Sequence, residues 1–331
     1  MAIIKILISD PLSEEGVKIL EREKEFRVDI KQKLPPEELK KIIGEYNALI
    51  VRSETKVTAD IIASADNLKI IGRAGVGLDN VDVEAASKRG IIVMNAPAGN
   101  TISTAEHTMS MILALSRNIP QANISMREGK WDRKKFMGTE LYNKVLGVVG
   151  LGRIGTEVTR RALSFKMKVV VYDPYLSEER AKKLEVELGD LEAVLKQADY
   201  ITVHTPLTNE TKHLISEKEF KMMKKGVRVI NCARGGIIDE KALLAALESG
   251  QVAGAALDVY EKEPPADSSL VKMPNVVTTP HLGASTEEAQ VAVSIDIAES
   301  IKDALLNKGI RNAVNVPSVD SEMMRNLQPY L

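Results

Sequence analysis

The chain has 331 residues, of which 44% are apolar and 27% charged, and its 45 basic and 46 acidic side chains leave a formal net charge of −1. That length predicts about two domains, each large enough for its own core, and the composition is too balanced for a disordered chain. Charge parity argues against a protein that coats nucleic acid, and no apolar run approaches the roughly 18 residues of a membrane span.

The elements alternate from the start. IIKILIS (3–9) reads as a strand broken by Asp10 and Pro11, too short for a secretory signal. SEEGVKILERE follows as an amphipathic helix with Ser13 as N-cap. NALIVRS (47–53), LKIIGRA (68–74) and IIVMNAP (91–97) are further strands, each apolar enough for a parallel sheet covered on both faces. NTISTAEHTMSMILALSRN, from about 100 to 118, reads as a long helix opened by polar capping residues. A second series then runs KVLGVVGLG, KVVVYD, YITVHTP, VRVINCARG, VAGAALDV and NVVTTPHLG.

The expected fold is α/β, with two doubly wound parallel sheets. Residues 99–285 form a Rossmann-like nucleotide domain. Residues 1–98 and 286–313 form a discontinuous, flavodoxin-like substrate domain, completed by the helix in STEEAQVAVSIDIAESIKDALLNKG. Residues 314–331 are a tail without clear pattern, disordered unless docked. The crevice between two such domains is the natural ligand site.

The strongest motif is Gly150-Leu151-Gly152-Arg153-Ile154-Gly155, between an apolar strand and a helix. The first glycine allows a tight turn, the second lets backbone approach a pyrophosphate, and the third permits close strand–helix packing. Arg153 either neutralises pyrophosphate charge or is a solvated helix-start residue. The next strand ends in Asp173, 18 residues beyond Gly155, and no arginine follows it directly. A carboxylate there accepts from ribose hydroxyls and repels a 2′-phosphate, so NAD is expected rather than NADP.

Three further segments end predicted strands and supply Arg234, Glu263 and His281. An arginine fork can hold the carboxylate of a 2-oxo acid and polarise its oxo group. A histidine can pass a proton to or from the adjoining oxygen, and a neighbouring carboxylate stabilises its protonated form. Spacing alone does not show that the three converge, and His107, His204 and His213 are rivals for His281. No two histidines share a metal-ligand spacing on one element, so no metal is expected. Cys232, the single cysteine, is expected to be a small filler near the cofactor rather than a nucleophile. A soluble, cytoplasmic protein follows from these features.

GRAGVGLDNVD (72–82), WDRKKFMGTEL (131–141), GLGRIG, NCARGG, ALDVYEKEP and PHLGAST, in this order, resemble the NAD-dependent D-2-hydroxyacid dehydrogenases over almost the whole chain. The resemblance implies that Arg234 binds the substrate carboxylate and that His281, paired with Glu263, is the acid/base. It implies that Asp258 holds the nicotinamide carboxamide, and that Thr205, Cys232, Ala233 and Gly283 line the cofactor. Val76 would give it a backbone contact, and Asp173 would bind its ribose.

The motifs look most like members that oxidise 3-phospho-D-glycerate to 3-phosphohydroxypyruvate, the first step of a phosphorylated route to serine. Arg52, Ser53, Arg73 and Gly75 then bind the substrate and its phosphate, and Arg133, beside Lys134 and Lys135, is either supplied by a neighbouring subunit or a solvated turn. A homodimer through the nucleotide domain is implied, with the helix after residue 100 clasping the partner. Many such members continue into a serine-binding domain for which this length has no room, so no serine feedback is expected. The alternatives are a glyoxylate or hydroxypyruvate reductase and an NAD-responsive, corepressor-like binding protein.

Overall fold

The computed structural model describes residues 3–320 and 322–323; the remainder of the expected 314–331 tail lies outside the described residues. The chain divides into two compact units, one made of Met1–Asn100 with Thr286–Leu331 and the other of Thr101–Ser285.

The first unit runs β1 Ile4–Ile8, α1 Glu14–Glu21, β2 Phe26–Ile30, α2 Pro36–Ile42, β3 Ala48–Val51, α3 Ala59–Ala63, β4 Ile70–Arg73, α4 Val83–Lys88 and β5 Ile92–Asn95. The second unit opens with α5 Thr101–Arg117 and α6 Ile119–Arg127, then β6 Val145–Val149, α7 Arg153–Ser164, β7 Lys168–Tyr172, α8 Glu178–Lys183 and β8 Glu187–Leu188. It continues with α9 Leu191–Gln197, β9 Tyr200–Val203, α10 Glu217–Met222, β10 Val227–Asn231, α11 Glu240–Glu248, β11 Val252–Leu257 and β12 Val276–Thr278. Helix α12, Glu287–Leu305, returns to the first unit.

The first sheet has the order β2-β1-β3-β4-β5 and the second β12-β11-β10-β9-β6-β7-β8; every pairing is parallel. These are the flavodoxin-like and Rossmann orders, and each reverses direction at a switch point where ligands bind. In the first sheet that point lies between β1 and β3, in the second between β6 and β9.

Successive strand residues serve opposite cores. Leu7, Leu49, Ile71 and Val93 pack on one face of the first sheet, and Ile6, Ile8, Ala48, Ile50, Ile70 and Met94 on the other. The second sheet divides in the same way, Leu146, Val148, Val169 and Val171 against Val149, Val170, Ile201 and Val203. Burial on both sides is what made these runs continuously apolar. The first strand and its helix form as the sequence predicts, with the Ser13 hydroxyl accepting from the Gly16 N–H at 3.4 Å.

Strand β2 was not among the expected strands. It is an edge strand, FRVDI, in which Arg27 and Asp29 alternate with apolar residues, and an edge lacks the continuous apolar run that marks a central strand. Helix α12 lies against α1, where a side chain on Gly16 would stand 2.8 Å from the Ser294 carbonyl oxygen, and the Ser294 hydroxyl accepts from the Ser13 N–H. Beyond α12, residues 312–315 pair antiparallel with the open edge of β5: the Asn95 N–H donates to the Asn312 carbonyl and the Val314 N–H to that of Val93. The Asn315 side chain accepts from the Val93 N–H and donates to the Ile91 carbonyl. The start of the expected patternless tail, residues 314 and 315, is therefore docked. Among the described residues no helix is long and apolar enough to cross a membrane.

Candidate active site

The glycine loop follows β6 at the switch point of the second sheet. Gly150 has φ +94°, and a side chain there would meet the Thr205 methyl at 2.8 Å and the His204 carbonyl at 3.0 Å. A Cβ on Gly155 would lie 2.2 Å from the Gly150 oxygen, so only glycine lets α7 start this close to the strand. Gly152 faces open space, with nothing within 4 Å of a built Cβ. Arg153 is exposed at the start of α7 and Ile154 is half-buried. Asp173, at the end of β7, accepts from the Leu151 N–H at 2.7 Å and the Tyr175 N–H at 2.9 Å, one on each oxygen.

Two buried polar atoms beside this loop have no hydrogen-bond partner, Thr205 Oγ1 and His204 Nδ1. The other His204 nitrogen lies 3.0 Å from the Thr202 hydroxyl, and burial pushes the imidazole pKa down to about 4. An open glycine at a helix start, a carboxylate after the next strand and orphaned polar atoms opposite fit a dinucleotide.

The catalytic candidates follow β10, β11 and β12. Asn231 clasps the first of these turns, accepting from the Ala233 N–H and donating to the Arg234 carbonyl. Arg234 Nη1 donates to the Ala233 carbonyl at 2.7 Å. A Cβ on Gly235 would fall 1.9 Å from the Tyr260 oxygen, so this glycine lets the arginine turn lie against the loop that carries Glu263.

Glu263 and His281 meet directly, with Oε2 at 2.8 Å from Nδ1, and the other Glu263 oxygen accepts from the Tyr260 N–H at 3.2 Å. Burial raises the Glu263 carboxyl pKa, but the His281 hydrogen bond and charge and the Tyr260 N–H outweigh it, leaving the group below its ordinary value. The His281 side chain is half exposed. Its backbone sits at φ +55°, a left-handed conformation that costs about 1–2 kcal/mol in a residue with a Cβ.

That turn is held by Asp258, which is fully buried. Its carbonyl accepts from the His281 N–H, Oδ1 from the Leu282 N–H and the Thr279 hydroxyl, and Oδ2 from the Gly283 N–H. Burial raises its pKa, yet hydrogen bonds from His107, Thr279 and Leu282 keep it ionised below its ordinary value. Cys232 is buried, and burial with the Asp258 charge raises its thiol pKa, as befits an inert filler.

Of the rival histidines, His213 sits in an exposed cluster with Glu261 and Asp239, His204 is held neutral, and His107 contacts Asp258 and Thr279. Among the described residues, no group of three or more His, Cys, Asp or Glu side chains could hold a metal.

The first unit carries its own cluster at the ends of β3 and β4. Asp10, buried after β1, accepts from the Arg52 N–H at 2.6 Å and from the Thr55 N–H and hydroxyl. Asn80 donates to the Arg52 and Thr55 carbonyls. The Arg52 Nε is buried with no partner, and burial lowers that guanidinium's pKa against the Asp10 and Glu54 charges. Ser53 is exposed on the same turn. The Arg73 guanidinium lies over Gly75, where a Cβ would be 1.7 Å from Nη1, and the Val76 carbonyl accepts from Asn95. Arg133 stands on an exposed turn, Arg133–Phe136, in the second unit.

Sequence reasoning did not assign Asp10, Asn80 or Asn231, which act by clamping turns. Nor did it give Ser103 and Thr104 of α5 a role. Their hydroxyls both donate to the Gly283 carbonyl.

Fold and site define the class: a dinucleotide-binding α/β protein with a histidine–carboxylate pair at its strand ends. The family model for the D-isomer specific 2-hydroxyacid dehydrogenase NAD-binding domain matches residues 109–283. A D-3-phosphoglycerate dehydrogenase of Archaeoglobus fulgidus is 52% identical over 329 residues, 99% of this chain and 62% of that protein. The TT0316 protein of Thermus thermophilus has 34% identity and a TM-score of 0.86, covering 94% of this chain and 100% of that one. A D-lactate dehydrogenase of Aquifex aeolicus, solved with NAD and lactic acid, has 30% identity and a TM-score of 0.81, with 95% and 100% covered. The chain belongs to the D-isomer-specific 2-hydroxyacid dehydrogenases, and its second unit is the family's NAD-binding domain. It spans about three fifths of the length of the phosphoglycerate dehydrogenase it matches.

Proposed function

We propose that this protein oxidises 3-phospho-D-glycerate to 3-phosphohydroxypyruvate and runs the reverse reduction. The observation that carries the reading is the His281–Glu263 pair, 2.8 Å apart, with Glu263 on a loop that adjoins the Arg234 turn. The 52% identity to a protein of that name supports the substrate. Bound NAD supplies the two-electron acceptor for the hydrogen on C2. Arg234 holds the substrate carboxylate and polarises the C2 oxygen. His281 Nε2 takes the hydroxyl proton, and the charge that develops on the ring is balanced by Glu263. The Thr101–Ser285 unit holds the dinucleotide through Gly150, Gly152, Arg153, Ile154, Gly155, Asp173, Thr205, Cys232, Ala233, Asp258 and Gly283. The first unit supplies Val76 to the cofactor and Arg52, Ser53, Arg73 and Gly75 to the substrate. The unpaired Arg52 Nε supports the phosphate role.

A homodimer belongs to the same proposal. Ala105, Met109, Met111, Ile112 and Leu115 of α5 are buried in the unit's own core, whereas Ile102 at its start and Ile119, Ile124, Met126, Trp131, Met137 and Tyr142 beyond it are exposed. Such a stretch suits a second copy better than water, and Arg133 lies within it. A single, buried cysteine suits a reducing, cytoplasmic setting.

The test is NADH consumption with 3-phosphohydroxypyruvate, hydroxypyruvate and glyoxylate in parallel, with the mass in solution from light scattering. Preference for the phosphorylated acid is the expected result. Preference for the other two makes this a reductase of small unphosphorylated acids, and NADH binding without turnover makes it a binding protein.

A further inference from the structure

One face of α5 is fastened to the loop that carries His281. Residues 103, 107 and 111 are spaced by four and so share that face. Ser103 donates to the Gly283 carbonyl at 2.7 Å, and Thr104 joins it at 3.1 Å. Met111 Sδ lies 3.8 Å from the Thr279 hydroxyl. Between them His107 Nε2 stands 3.1 Å from Thr279 Oγ1 and 3.2 Å from Asp258 Oδ1.

These contacts fix the proton on His107. The Thr279 hydroxyl gives its one hydrogen to Asp258 at 2.6 Å, and Asp258, an ionised carboxylate, can only accept. Both neighbours of Nε2 are therefore acceptors, and Nε2 must carry the hydrogen. Asp258, so oriented, takes the N–H groups of Leu282 and Gly283 on its side chain and that of His281 on its carbonyl. Three successive N–H groups of the catalytic turn converge on one buried acid, and His107 is the side chain that donates to that acid from α5.

We propose that His107 is a positioning residue: acting through Asp258 and Thr279, it holds the left-handed turn that presents His281. The proposal rests on the reading of His281 as the acid/base, and the imidazole of His107 itself exchanges no proton with substrate.

The experiment compares His107→Phe, which fills the space without a donor, with His107→Gln, which keeps an N–H near the same point. Misplacing a catalytic group by about 1 Å costs on the order of 100-fold. The phenylalanine variant is therefore expected to lose about 10- to 100-fold in kcat, and glutamine to restore kcat to within about threefold of wild type. Ring signals of the chain's four histidines give a readout independent of turnover, with His281→Gln as the assignment. The His281 signals should move in His107→Phe and return in His107→Gln. Unmoved His281 signals overturn the proposal, and so does unchanged kcat in His107→Phe. Equal losses in both variants, with equal drops in Tm, mean a merely structural histidine and overturn it as well. If the wild type reduces no 2-oxo acid, the proposed activity fails, while the His281 signals still decide the role of His107.

Discussion

Glu263 reaches His281 Nδ1 at 2.8 Å with one oxygen and accepts the Tyr260 N–H with the other. The carboxylate is thus fixed from behind before it meets the imidazole, and Nε2 is the nitrogen left for the proposed proton transfer.

From this follows the first prediction. His281→Gln should lower kcat by about 100- to 10,000-fold while leaving the NADH Kd nearly unchanged. Glu263→Gln should cost less. If the two act as one unit, the double variant should fall no further than His281→Gln alone. Additive losses in steady-state kinetics would separate them.

Gly152 and Gly155 should behave differently although they share a motif. Gly152 has φ −70° and open space around it, so Gly152→Ala should change stability by less than about 0.5 kcal/mol. It should weaken NADH binding at least about tenfold by filling the approach to the pyrophosphate. Gly155→Ala drives its methyl into the Gly150 oxygen and should lower Tm as well. Thermal unfolding and NADH titration of both variants check this.

Asp173 supports the glycine loop through Leu151 and stands where ribose hydroxyls are expected. Asp173→Ala should narrow the preference for NADH over NADPH by at least about tenfold, or about 1.4 kcal/mol. An unaltered ratio of kcat/KM values would remove the ribose contact.

His204 gives the fold a pH dependence of its own. Its folded pKa of about 4 lies below the ordinary 6.5, so between those values the unfolded chain binds the extra proton. The stabilisation is fully present above pH 6.5 and is lost as pH falls towards about 4, amounting to at most about 3 kcal/mol. His204→Asn should flatten urea-unfolding stability across that window. An unchanged slope would assign the acid sensitivity elsewhere.

Much of this was legible because parallel strands buried on both faces are written as apolar runs, and because each site residue sits just past such a run. The alternation of strand and helix gave both sheets, and the residues after β6, β7, β10, β11 and β12 gave the glycine loop, Asp173, Arg234, Glu263 and His281 as candidates. What stayed hidden depends on three-dimensional proximity. Strand β2 carries charges because an edge allows them. Asp10 meets Arg52 across 42 positions, and His107 meets Thr279 across 172. No local pattern encodes such distances. In the sequence His107 reads only as a rival to His281 on a predicted helix.

The closing of the β5 edge by residues 312–315 orders events in time. The second unit is one uninterrupted stretch, Thr101–Ser285, and its core can consolidate on the ribosome while the first sheet still lacks its last partners. Chain emerges at roughly 5–20 residues per second, so Val93 and Asn95 wait about ten seconds or more for Asn312 and Val314. Through that interval a parallel sheet with an open edge is exposed to other nascent chains, and the second-unit core is complete before the first unit can be.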